Sequence, residues 1–219
     1  MNPGDFKPYR SDPDFLILHT LRCIGVAAEE RISTASGLSL DETLARLHEH
    51  ADRQLVLLDS GPFGGWSLTG AGERTERELT QDELLVADAR DVVTGCYERF
   101  LVLNPKLLQI STDWQIRRFG TSQSMNDHSD PDYDNKVLSR LIRIDDKAQP
   151  ICGDLASRLL RFGLYADRLA RALDRSLAGE SGYVSDNLDS YHTVWFQLHE
   201  DLLTTLGISR EEERRRRSG

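Results

Sequence analysis

Two histidines seven residues apart, His192 and His199, stand in the last long apolar stretch of the chain. If that stretch is a helix, they fall about 20° apart on one face, beside Leu188, Tyr191, Trp195, Phe196 and Leu203. Buried imidazoles need hydrogen-bond partners, and Asn126-Asp-His-Ser-Asp-Pro-Asp-Tyr-Asp134 and Thr112-Asp-Trp-Gln-Ile-Arg-Arg118 supply candidates. Three chemistries compete for these residues. In the first, the histidines are satisfied core groups. In the second, Trp114, Tyr191, Trp195 and Phe196 wall a small-molecule pocket anchored by Arg117, His192 and His199, with His128 and Tyr133 from the acidic loop. In the third, His128, His192 and His199 bind a metal with an aspartate. Two turns of helix separate His192 from His199 by about 10 Å, too far for one ion on a straight helix, so neither metal nor cofactor is expected.

Motifs for catalysis are scarce. Gly61-Pro-Phe-Gly-Gly65 lacks the lysine and following helix of a P-loop, and neither G-x-S-x-G nor H-E-x-x-H occurs. Asp130-Pro-Asp-Tyr-Asp134 lacks the glycine and distal glutamate of an EF-hand. The expectation is a binding protein rather than an enzyme.

The elements that would position these groups are mainly helical. Helical spacing of Phe15, Leu18, Leu21 and Ile24 predicts a first helix, and Ala28 to Ser36, closed by Gly37, a second. Ser39-Leu-Asp-Glu42 is a capping box opening a third helix over about 40–53. Leu55-Val-Leu-Leu58 and Trp66-Ser-Leu68 read as a β-hairpin around a glycine-rich loop, and Thr69 caps a fourth helix. Beyond residue 82 the pattern predicts helices over 82–103, 106–118, 132–147, 150–162, 164–178 and 187–206. Asn104-Pro105 and Pro150 would open new helices, and Gly207 is a C′ residue.

Ile32-Ser-Thr-Ala-Ser-Gly-Leu-Ser-Leu-Asp-Glu-Thr-Leu-Ala-Arg-Leu47, Leu55-Val56 and Trp66-Ser-Leu-Thr-Gly-Ala-Gly72 follow one another in the order of a winged helix-turn-helix. In particular, Thr43-Leu-Ala-Arg-Leu47 and Leu68-Thr-Gly-Ala-Gly72 resemble MarR-type transcriptional regulators, over roughly residues 14–82. That resemblance implies a dimeric regulator of double-stranded DNA. Its third helix would enter the major groove, with Arg46 as base reader, and with Ser39, Thr43, His50, Arg53 and the wing residue Gly64 near the backbone. The helical half would sense a small molecule or partner. Dimerisation rests on the resemblance and on the apolar helix 82–103.

Charge argues against part of this. The third helix presents Asp41, Glu42, Glu49 and Asp52 against Arg46 and Arg53, and the wing has no lysine or arginine. Acids near phosphates repel, so a winged helix that docks a basic protein surface is the alternative, and an enzyme built on the Asp- and His-rich half a remoter one. Residues 1–82 hold 8 Lys/Arg against 14 Asp/Glu, and the 219-residue chain carries a net −9. Three dispersed cysteines, no apolar run long enough for a membrane span and no secretion signal lead to an expected cytoplasmic location. The expected organisation is a polar leader (1–13), a winged helix (14–82), an all-α domain (83–206) and a charged, frayed or disordered tail (207–219).

Overall fold

The computed structural model describes residues 7–62, 64–119 and 122–217. Three helices come first, α1 (Pro13–Ile24), α2 (Glu29–Ser36) and α3 (Leu40–Asp52), followed by the hairpin strands β1 (Val56–Asp59) and β2 (Gly65–Leu68). The Ser39 hydroxyl caps α3 by accepting from the Glu42 amide, and Gly37 takes the left-handed conformation that ends α2. In the hairpin Val56 pairs with Leu68 and Asp59 with Gly65. Ala27 adds a third rung by exchanging backbone hydrogen bonds with Trp66 at 3.1 and 2.8 Å. A small core of Ile17, Leu18, Leu21, Ile32, Leu47, Val56 and Trp66 holds this unit.

Helix α4 (Gly70–Val86) leads to the larger half: α5 (Arg90–Gln115), α6 (Pro131–Ala156), α7 (Gly163–Leu177), the short α8 (Gly182–Ser185), α9 (Tyr191–Leu206) and α10 (Arg210–Arg217). Its core runs from Val93, Phe100 and Leu107 through Leu141, Cys152 and Phe162 to Trp195 and Leu202. The protein is thus mainly α, with an early hairpin after three helices. No helix among the described residues is long and apolar enough to cross a membrane.

Several boundaries depart from the sequence reading. Helix α5 passes through Asn104-Pro105, and α6 through Pro150. Pro105 and Pro150 both lie on exposed faces. Asn104 is buried, and its side-chain oxygen accepts from the Trp195 indole at 3.0 Å instead of capping a helix. The break falls at Ala87-Asp-Ala89, where Asp88 has φ +47. The expected boundary at residue 82 therefore lies inside α4. The larger half is not all-α, since β3 (Ile116–Phe119) and β4 (Ser122–Met125) form a second hairpin where a helix end and a polar loop were expected. A β-branched start at Ile116 fits that hairpin, but the exposed strand β4 carries no apolar alternation to announce it.

Both chain ends are more engaged than expected. Tyr9 makes backbone hydrogen bonds to Arg158 and Leu160 at 2.8 and 3.0 Å, and the Ser11 hydroxyl donates to Glu83 at 2.5 Å. Residues 1–6 of the expected leader lie outside the described residues. Gly207 ends α9 in the left-handed region, as its position predicts, but the tail then forms α10 and buries Glu213 against His199.

Candidate functional site

The third helix offers fewer free groups than its sequence implied. Thr43 is fully buried and His50 nearly so, with the His50 Nε2 3.0 Å from the Asp14 carbonyl and its pKa pushed down by burial. Neither can reach a phosphate, which corrects both assignments: both side chains are buried away from solvent, His50 against Asp14 of the first helix. Arg46 is held by Asp14 at 3.1 Å and Glu49 at 3.4 Å. Ser39 is exposed but serves its own helix. Arg53 is exposed at the end of α3, and Asp41, Glu49, Asp52 and Asp59 are exposed too. Gly64 is structural: a Cβ there would sit 1.9 Å from the Asp59 carbonyl oxygen. Strand β1 turns Leu57 and Leu58 outward.

The expected pocket of the helical half divides into two separate assemblies. One is the hairpin base. There the Trp114 indole donates to the Ser181 carbonyl at 3.2 Å, and the His128 ring packs 4.6 Å from it. His128 meets Asp134 at 2.9 Å, and Arg117 pairs with Asp130 at 2.8 Å while lying over the Tyr133 ring. The Tyr133 hydroxyl donates to the Asp113 carbonyl. The other assembly is core. Trp195 stacks on Phe100 at 4.4 Å, Tyr191 donates to Asp145 at 3.0 Å, and His199 meets Glu213 at 2.7 Å. Tyr191, Trp195 and His199 are buried in side chains, leaving no wall for a ligand. His192 is half-buried with its pKa pushed down by burial, and Phe196 is half exposed, so the expected shared face is split.

The densest polar cluster joins the two halves. His19 on α1 places Nδ1 2.8 Å from Glu76 of α4 and Nε2 3.0 Å from Asp201 of α9. Arg161, just before α7, reaches Asp201 at 2.5 Å, Glu83 at 2.9 Å and Thr205 at 2.8 Å. Tyr165 donates to Asp201 at 3.0 Å and Thr80 to Glu76 at 2.6 Å. All these groups are buried. Burial alone would favour a neutral Asp201, but Arg161 and His19 hold its carboxyl far below the usual range.

Neither protein-family models nor curated proteins nor solved structures yield a match to the chain.

His19, Cys23 and Asp201 bring three potential metal-ligand atoms within 4.8 Å of one another. Arg161 stands among them, with Nη1 3.0 Å from the His19 Nε2. The guanidinium takes the place a metal ion would need, and its charge opposes a second cation. The crevice beside these residues has an interior of about 20 Å³, room for a water and little more. Burial also pushes the Cys23 thiol up, which keeps it protonated and a poor nucleophile. The cluster therefore reads as a charged joint. One sequence signal was missed: His19 and Cys23 are four apart, one turn of α1. Arg161 and Asp201 carried no local signal.

Proposed function

We propose that this chain is a winged-helix regulatory module whose α3 and wing surface docks a basic protein surface, while the helical half acts as its sensing body. The observation that carries this reading is the exposed face of α3. Asp41 and Asp52 are exposed there without an ion pair among the described residues, against Arg53 as the one unpaired cation, while Arg46 is neutralised by Asp14 and Glu49. DNA affinity rests on phosphate neutralisation, and this surface offers little of it. Leu57 and Leu58 of β1 are exposed as well, one on each face of the hairpin, and add apolar surface of the kind a protein partner uses.

A second reading, a MarR-like DNA-binding regulator, is favoured by the element order α1–α2–α3–β1–β2 and by Leu68-Thr-Gly-Ala-Gly72 after the wing. The two readings separate in one pair of measurements. Purified protein is incubated with a genomic fragment pool at two salt concentrations and the retained fragments are sequenced. In parallel, partners cross-linked to wild type are compared with those cross-linked to Glu49→Lys/Asp52→Lys. The docking reading expects no enriched DNA site and a partner lost on charge reversal. An enriched site that weakens with salt and with Arg46→Ala overturns it in favour of DNA. A partner retained by the reversed protein overturns the acidic-face docking.

A further inference from the structure

Between α2 of the N-terminal unit and α7 of the helical half lies a cleft of about 130 Å³, lined by Thr34, Arg168, Arg171, Arg175, Tyr183 and Asp189 among others. By helix periodicity Arg168, Arg171 and Arg175 fall within about 60° of each other on α7. Arg168 is 6% exposed, yet its Nε has no hydrogen-bond partner. Its Nη2 donates to Gln197 at 2.6 Å, and its nearest carboxylate, the exposed Asp189, is 3.8 Å away. Arg31 of α2 also has a buried Nε without a partner. Among the described residues neither Arg31 nor Arg171 forms an ion pair. Burial pushes the Arg168 pKa down, and Arg171 and Arg31 add like-charge repulsion to that. Arg175 is compensated by a fork to Glu180, and it lies over the Tyr183 ring at 3.9 Å. The lining of the cleft thus carries three arginines against one carboxylate, Asp189, and Arg31 stands close enough to Arg168 to repel it, in a protein whose overall charge is −9.

A buried arginine with an unsatisfied donor and cationic neighbours costs stability unless an anion completes it. We propose that this cleft binds the phosphate group of a small phosphorylated molecule, held by Arg168 and Arg171 from α7 and by Arg31 from α2. The forked, always-charged guanidinium suits phosphate geometry, and a dianion matches the excess of two positive charges. Because the donors come from both halves, a bound phosphate ties α2 to α7. This site stands independently of what α3 docks.

Isothermal titration with inorganic phosphate and with pyrophosphate, at fixed ionic strength, tests it on the full chain. Wild type should bind at least one of them and melt at higher temperature in its presence. Arg31→Ala and Arg171→Ala remove half-buried and exposed side chains, so they should fold normally while binding roughly tenfold or more weakly. Arg168→Met should abolish binding and leave the ligand-free melting temperature unchanged or higher, because a crowded buried charge is gone. No binding up to about 10 mM, weaker than any useful affinity, overturns the proposal. So does binding that Arg31→Ala and Arg171→Ala leave intact. Citrate binding with the same variant dependence, in the absence of phosphate binding, overturns the phosphate assignment.

Discussion

His19 has carboxylates on both sides, so both ring nitrogens can donate only when the ring is protonated. Burial and the Arg161 guanidinium disfavour that charge, but the Asp201 carboxylate outweighs them by charge and hydrogen bond and the pKa lies well above the ordinary histidine value. A raised folded pKa contributes stability that is fully present below the unfolded value of about 6.5 and lost as pH rises through the folded one. Asp201 runs the other way: its depressed pKa contributes stability present above about pH 4 and lost as pH falls through the folded value. Urea melts from about pH 5 to about pH 9 should show stability declining on the alkaline side. In His19→Gln that decline should vanish, and stability near pH 6 should fall by about 1.5–3 kcal/mol, as for hydrogen bonds to charged groups. A decline that survives the substitution would assign it to another group. Arg161→Met leaves Glu83 buried without its counter-ion and Asp201 with His19 alone, and should cost about 3–5 kcal/mol in the same assay. Arg161→Met/Asp201→Leu should recover part of that loss. Little of this was legible in the sequence. The apolar faces that bury Tyr191, Trp195 and His199 were visible in their spacing. Their partners Asp145, Asn104 and Glu213 come from other helices, which no periodicity relates to them.

Elements were legible wherever a local rule governs them. Side chains of Asp12, Ser39, Thr69, Asp130 and Ser190 each accept from a backbone amide at the start of a helix. Proline was the misleading signal. It was read as a helix start, yet in α5 and α6 the packed face continues past an exposed Pro105 and Pro150, and burial of Leu103, Leu107, Ala148 and Ile151 outweighs one lost backbone hydrogen bond. The same burial explains why the apolar side of α5 is not a free dimer face: Val93, Cys96, Phe100 and Leu103 are covered within the chain. The segment Leu68-Thr-Gly-Ala-Gly72 also has a physical meaning. The Thr69 hydroxyl accepts from the Gly72 amide and donates to the Gln54 carbonyl at 2.7 Å. A Cβ on Gly72 would lie 2.0 Å from the Leu55 carbonyl oxygen. Alanine normally favours a helix over glycine by about 1 kcal/mol. Here Gly72→Ala should instead destabilise by about 2 kcal/mol or more, since backbone must move to relieve the overlap. Chemical denaturation decides the sign, and a stabilised variant would mean that α4 and β1 separate at little cost.

Across the whole molecule, the two apolar cores are distinct, but the charged joint between them is buried and shared. Glu76 and His19 from the first unit and Asp201 and Arg161 from the second satisfy one another, and Tyr9 ties the chain's start to Leu159. Pulling α1 and α4 away from the second half would break the His19–Asp201 and Glu83–Arg161 pairs and leave Glu83 without its counter-ion, while His19 keeps Glu76 and Arg161 keeps Asp201. While the joint is closed, separation therefore costs several kcal/mol per unmatched ion, comparable to the stability of a small domain. The halves should accordingly melt together. Trp66 reports the first core, and Trp114 and Trp195 the second. With 5-fluorotryptophan incorporated, all three fluorine resonances should lose native intensity at one urea concentration in wild type. In Arg161→Met the joint already holds an uncompensated Glu83, so its opening breaks only the His19–Asp201 pairing and releases a buried unpaired acid. Trp66 should then shift to a different midpoint from Trp195, while each core keeps a cooperative transition of its own. If the wild-type midpoints already differ, the joint is too weak to couple the halves, and a ligand bridging α2 to α7 would have to supply the coupling itself.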